Sequence, residues 1–128
     1  MDDVHIRVDV ETNTLYISGT GTVYGTDYGN YTPVNVVVEE GIIGIGDSAF
    51  FNCNGLISVT LPDSLESIGD VAFESCSSLT EVTLGAGLTE IFPSIFNKCS
   101  ALAKIKALSS LQEEVVKAGM DLTLFEWY

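Results

Sequence analysis

Ile68-Gly69-Asp70-Val71-Ala72-Phe73-Glu74-Ser75-Cys76-Ser77-Ser78-Leu79-Thr80-Glu81-Val82-Thr83-Leu84 decides the architecture, because its pattern recurs on both sides at a shift of 23 residues. A fixed period of this length marks a solenoid. Upstream, Ile45, Gly46, Asp47, Ala49, Phe50, Cys53, Leu56, Val59, Leu61 and Leu65 occupy the same offsets, the last matching Leu88. A third copy starts at Ile91 and keeps Phe96, Cys99, Leu102 and Ile105. It has Phe92, Pro93 and Ile95 where the others have Gly, Asp and Ala, and Ala107 in place of Leu84. A partial unit precedes them all, since Val36, Val38 and Ile42 stand 23 before Val59, Leu61 and Leu65. One unit has too few apolar groups to bury its own face, so neighbours must stack into a continuous core.

Within the unit, the alternation in Val59-x-Leu61 and Val82-x-Leu84 is that of a short strand with one face inward, and stacked copies of it make a parallel sheet. Pro62 or Gly85 then turns the chain, and a one-turn helix is expected after the Gly-Asp pair. Asp47 and Asp70 sit where an N-cap carboxylate would accept the free amides of that helix; Pro93 is tolerated at the same helix start. At the ~4.8 Å spacing of stacked strands the two carboxylates could instead share Ca²⁺, but further oxygen ligands are not evident and capping is the expectation. Cys53, Cys76 and Cys99 form a column. Their Cβ atoms point in parallel, which disfavours a disulfide, and no Cys-x-x-Cys or His partner accompanies them. Three buried free thiols acting as small hydrophobes are expected, with no metal and no cofactor.

The net charge of -13 is uneven: residues 1–97 hold fourteen acids against Arg7 alone, while residues 98–128 balance four acids with Lys98, Lys104, Lys106 and Lys117. An acidic body repels phosphate, so nucleic acid and anionic membrane are poor partners. No apolar run reaches the ~18–20 residues of a membrane span, and neither leader nor wall anchor is visible, so no direct membrane insertion is expected. Catalytic signatures are missing as well: there is one His, no His-Glu-x-x-His, no Gly-x-Ser-x-Gly and no phosphate loop. Gly19-x-Gly21 is no dinucleotide fingerprint, because no helix follows it. A non-enzyme is the reading.

The flanks read as caps. Val4, Ile6, Val8 and Val10 alternate, Glu11-Thr12-Asn13-Thr14 turns, and Leu15 to Ser18 returns as the second arm of a hairpin. At the other end Ser110-x-x-Glu113 has the form of a capping box, Leu111, Val115 and Ala118 give a helical face, and Gly119 supplies a stop. Leu122, Leu124, Phe125 and Trp127 are expected to fold back over the last coil, although their exposure would permit a weak dimer in place of a monomer. The boundaries are then one domain, 1–128, with a cap and Tyr/Gly-rich loop at 1–35, about three and a half repeats at 36–108 and a helical cap at 109–128.

Two surfaces are left for a partner. Asn35 and Val37, Ser58 and Thr60, Glu81 and Thr83, Lys104 and Lys106 face away from the core on the repeat strands, an open ladder that runs from neutral to acidic to basic without an aromatic anchor. The loop from Gly19 to Pro33 carries Tyr24, Tyr28 and Tyr31 among Gly, Thr and Asn, a mixture suited to adaptable contacts or to stacking on a sugar. It could equally lie over the solenoid and bury some of its tyrosines.

The repeats resemble the BspA-like leucine-rich repeat family, whose unit reads roughly Leu-x-x-Ile-Gly-x-x-Ala-Phe-x-x-Cys-x-x-Leu-x-x-Val-x-Leu-Pro. The likeness covers about residues 15–107, with Leu15-Tyr16-Ile17-Ser18-Gly19-Thr20-Gly21 matching the strand ahead of the repeats. It implies an α/β solenoid: a short right-handed superhelix with a parallel β-sheet, an N-terminal β-hairpin cap and a C-terminal helix cap. It also implies an extracellular or cell-surface adhesion module of bacterial type, with a host or matrix protein as partner. A glycan held by the tyrosine loop, or a structural spacer within a larger surface protein, are the alternatives.

Overall fold

The computed structural model describes residues 2–128. Strands β1 (Asp3–Asp9) and β2 (Thr14–Val23) form the expected hairpin, followed by β3 (Asn35–Val38), β4 (Ile42–Ile45), β5 (Ser58–Thr60), β6 (Ser67–Ile68), β7 (Glu81–Thr83), β8 (Lys104–Ala107), helix α1 (Gln112–Lys117) and β9 (Phe125–Trp127). Two walls result. The long wall runs β1-β2-β3-β5-β7-β8-β9, antiparallel only between β1 and β2. The short wall is β2-β4-β6, all parallel. β2 serves both: residues 14–17 pair with β3 and residues 21–23 with β4. It changes wall at Gly19 (φ 103°) and Gly21 (φ 94°), where a side chain would be strained and, at Gly19, would strike the Asp3 carbonyl.

The repeat register places like on like. Val36, Val59, Val82 and Ile105 pair strand to strand and are buried, as are Ile45 and Ile68 on the short wall. All belong to one hydrophobic cluster. Behind them, Tyr28, Phe50, Phe73 and Phe96 stack as a ring column with centroids 5.2, 5.2 and 6.0 Å apart and interplanar angles of 9°, 3° and 18°. Such offset stacks contribute about 0.5–1.5 kcal/mol each beyond their burial.

Between the walls, the first two coils have no helix after the Gly-Asp pair, contrary to the sequence expectation. Ser48 (φ 58°), Asn52 (φ 61°), Val71 (φ 49°) and Ser75 (φ 62°) lie in the left-handed region, at repeat-equivalent places. These residues break helical winding and turn alternate amides sideways, so that Ser48, Phe50 and Asn52 N–H donate to the carbonyls of Asp70, Ala72 and Glu74 one coil on, at 3.0, 2.8 and 2.8 Å. Only the third coil winds up, as a 3₁₀ turn over Pro93–Phe96.

The carboxylates follow the same rule. With no helix to cap, Asp47 accepts the Asp70 amide of the next coil at 2.7 Å, and Asp70 accepts the Ser94 hydroxyl at 2.9 Å. Glu40 accepts the amides of Asp63 and Ser64 at 2.8 and 3.0 Å, and Asp63 accepts that of Ala86 at 2.8 Å. Much of the acidity therefore holds coil to coil, and Asp47 and Asp70 bridge to the neighbouring coil instead of capping a helix of their own, as the sequence leads one to expect.

The cysteine column is free thiol, with Cys76 buried and Cys53 and Cys99 half-buried, so burial of all three was too strong an expectation. Cys76 and Cys99 donate to the carbonyls of Phe50 and Phe73 at 3.1 and 2.9 Å. Hydrogen bonding along the column and burial hold the Cys76 thiol far above its ordinary range.

At the C-terminal end α1 starts at Gln112 without the Ser110/Glu113 capping box, because a 3₁₀ turn over Ser109–Leu111 runs straight into it. Gly119 (φ 71°) ends it as expected. The last apolar residues do more than fold back. Phe125 and Trp127 form β9, in parallel register with Ile105 and Ala107, and their rings stack at 5.0 Å over the end of the core.

Candidate binding surface

Strand alternation puts every second side chain of the long wall outside, and parallel register aligns them in two columns. One reads Asn35, Ser58, Glu81, Lys104, with Thr14 buried ahead of its first rung; the other reads Tyr16, Val37, Thr60, Thr83, Lys106, Glu126. All eight strand residues picked from the repeat lie on this face. Tyr16 joins them although it lies in the hairpin cap, because β2 is at once an arm of that cap and the first rung of the ladder. The Arg7 guanidinium lies 4.0 Å over its ring and reaches Glu39 at 3.9 Å. The face thus has the aromatic anchor that the repeats alone lack.

The acidic-to-basic gradient read from sequence is neutralised in place. Lys106 pairs with Glu81 at 3.4 Å and Lys104 with Glu126 at 3.3 Å. Exposed pairs of this kind add at most about 1 kcal/mol to stability, but they draw the long side chains together at one end. Toward the other end, Ser58 donates to Asn35 Oδ1 at 2.7 Å, and Asn35 Nδ2 reaches the Thr14 hydroxyl at 3.5 Å. The middle, Val37-Thr60-Thr83, is a low floor between Arg7 on Tyr16 and the Lys/Glu pairs. From Tyr16 to Lys106 is four strand steps, or ~19 Å.

The tyrosine loop is not one surface. A 3₁₀ turn over Gly25–Tyr28, held by the Tyr24 amide donating to Asp27 Oδ2 at 2.7 Å, folds Tyr28 inward. There Tyr28 is the first ring of the aromatic column, donates to the Ala49 carbonyl at 2.6 Å and touches Cys53 Sγ at 3.6 Å. Burial pushes its hydroxyl well above the ordinary tyrosine range. Tyr31 is half-buried and donates to Asn13 Oδ1. Tyr24 alone of the three is exposed. The signal for Tyr28 was available but displaced: it precedes Phe50 by 22 residues, one short of the repeat.

Among the described residues no group of three or more His, Cys, Asp or Glu is placed to hold a metal ion, and no helix is long and apolar enough to cross a membrane. The outer face of the long wall offers hydrogen-bond donors and acceptors beside the Arg7–Tyr16 stack.

Stacked 23-residue coils with a parallel strand per coil define a leucine-rich-repeat solenoid. The family model "BspA type Leucine rich repeat region (6 copies)" matches residues 28–118, and the chain belongs to that family. Among solved structures it is similar to the leucine-rich repeat protein TpLRR of T. pallidum, at 27% identity and TM-score 0.58, covering 81% of this chain and 50% of that one. A leucine-rich repeat protein from Eubacterium ventriosum shares the fold at 21% identity and TM-score 0.52, covering 84% of this chain and 42% of that one. The chain thus spans half or less of the length of these structures. No curated protein matches it. Family and fold together establish a repeat-built binding or structural module.

Proposed function

We propose that the chain is a non-catalytic protein-binding module of a bacterial cell surface, with the outer face of the long wall as its contact surface. The observation that carries this is the pair of side-chain columns in strand register, anchored by Tyr16 under Arg7. Tyr and Arg are the residue types that concentrate binding energy at protein interfaces. The surface location is supported by what the family resemblance implies.

The dimensions choose the kind of partner. Some 19 Å across the strands by roughly 13 Å along them is about 250 Å², against ~800 Å² per side in a standard stable interface. The face therefore suits one extended segment or loop of a host or matrix protein, bound weakly and strengthened by multiple copies.

The test is binding of the chain to a panel of immobilised extracellular-matrix proteins, with the parent compared to a Thr60→Arg/Thr83→Arg variant of unchanged melting temperature. Two bulky cations on the floor should lower protein binding by about tenfold or more, which is 1.4 kcal/mol. Binding that the variant leaves intact would remove the face from consideration. Failure to bind any protein would favour a structural spacer.

A further inference from the structure

The third coil breaks the repeat where Phe92-Pro93 replaces Gly46-Asp47 and Gly69-Asp70. The first two coils need glycine there. A Cβ on Gly46 would lie 2.5 Å from the Tyr24 ring, and one on Gly69 would lie 2.4 Å from the Asp47 amide. Lateral bonds Gly46 N–H to Val23 O and Gly69 N–H to Ile45 O, both 2.7 Å, align these coils. Along this strip of positions 24, 46, 69 and 92, the Tyr24 ring lies over buried Gly46 and Asp47 fills the space beside Gly69, so it is at Phe92 that the strip opens to solvent. Tyr24 and Phe92 are both about half exposed, at 50% and 51%. Three coil steps separate them, ~14 Å.

Phe92 stands as a fin. On one side lies an open cleft of about 600 Å³ lined by Ile68, Asp70, Phe92, Pro93 and Ser94, within the ~300–1,000 Å³ range of small-molecule sites. Its walls are mainly apolar, yet the Asp70 carboxylate and the Ser94 hydroxyl, 2.9 Å apart, sit at its edge. Asp70 Oδ1 is engaged by Ser94 and Asp47 Oδ1 by the Asp70 amide, while the second oxygen of each carboxylate makes no hydrogen bond among the described residues.

We infer that the cleft at Phe92 binds a neutral oligosaccharide, with the C–H face of a pyranose ring against Phe92 and its hydroxyls donating to Asp70. The chemistry selects this class. The carboxylates repel phosphate and acidic peptides, and the cleft is too open to enclose a wholly apolar ligand. A saccharide offers both an apolar face and uncharged hydroxyl donors. A cationic peptide would also meet Asp70, with Glu90 and the Glu114–Lys117 pair on the far side of the same fin, and it is the competing occupant in the test. This site lies away from the protein-binding face and does not depend on it.

The test is calorimetric and NMR titration of the full chain with glucose and with tetrasaccharides of β-1,4-glucose, β-1,4-N-acetylglucosamine and α-mannose, beside a tetra-arginine peptide. At least one tetrasaccharide should bind. Phe92→Ala should weaken it about tenfold or more, and Phe92→Tyr should keep it. Tyr24→Ala and Thr60→Arg/Thr83→Arg, both outside the cleft, should have no effect. The inference is overturned if no tetrasaccharide binds by about 10 mM, beyond the ~1 mM range of weak sites. It is equally overturned if Phe92→Ala binds as the parent does, or if the peptide binds and the sugars do not.

Discussion

Removing the ring of Phe50 and removing the ring of Phe51 delete the same atoms from adjacent residues, and the coil geometry gives the two deletions very different costs. Phe50 is fully buried and stacked on Tyr28 and Phe73, each at 5.2 Å. Phe51 points out, 51% exposed. Truncating a buried Phe to Ala costs about 3–5 kcal/mol, and the loss of two stacks places Phe50→Ala at the upper end, ~5 kcal/mol. Phe51→Ala should cost no more than about 1 kcal/mol. At ~0.05–0.15 kcal/mol per residue the whole chain is stabilised by about 6–19 kcal/mol, so the first substitution removes a large share and the second does not. Since 1 kcal/mol shifts the midpoint of a chain this size by roughly 3–6 °C, the gap between the two variants should be about 12–24 °C. Urea and thermal unfolding followed by circular dichroism measure it. Equal midpoints, or a larger loss for Phe51→Ala, would refute the reasoning, because the aromatic column would then not be the spine of the stack.

Three further outcomes follow from the coil-to-coil bonding. Glu40→Ala, which deprives the Asp63 and Ser64 amides of their acceptor, should cost about 1 kcal/mol in urea unfolding, and Glu40→Gln should cost less. Val71 is β-branched at φ 49°; Val71→Asn, a residue that tolerates this region, should raise stability by about 0.5–1 kcal/mol. Tyr28 has a hydroxyl pKa raised by folding, so above the ordinary tyrosine value of ~10 the folded state keeps a proton that the unfolded chain has lost. Stability should then be full below pH ~10 and fall as pH rises beyond it. Tyr28→Phe should flatten that fall in unfolding measured from pH 8 to 11.

The repeat register was legible because burial imposes it: Ile45, Ile68 and Ile91 must face one core, and only a strict shift of 23 residues keeps them there. The outward strand residues were legible by the same alternation. Three things were not. β6, at two residues, is too short to show a period. The roles of Asp47 and Asp70 lie in contacts one coil away, whereas local rules assign a carboxylate to its own helix. Tyr28 belongs to the aromatic column through a coil one residue short, so alignment at fixed period passes over it. Tyr16 is part of the outer face only because β2 pairs forward with β3 as well as backward with β1.

The central claim, that the long wall's outer columns are where this module meets a protein partner, is most directly tested by amide chemical-shift mapping. The ¹⁵N-labelled chain would be titrated with whichever matrix protein it binds. Perturbed amides should cluster at Arg7, Tyr16, Val37, Thr60, Thr83 and Lys106, with those of the short wall unmoved. Perturbations confined to the short wall and the Phe92 strip, with the columns silent, would contradict it.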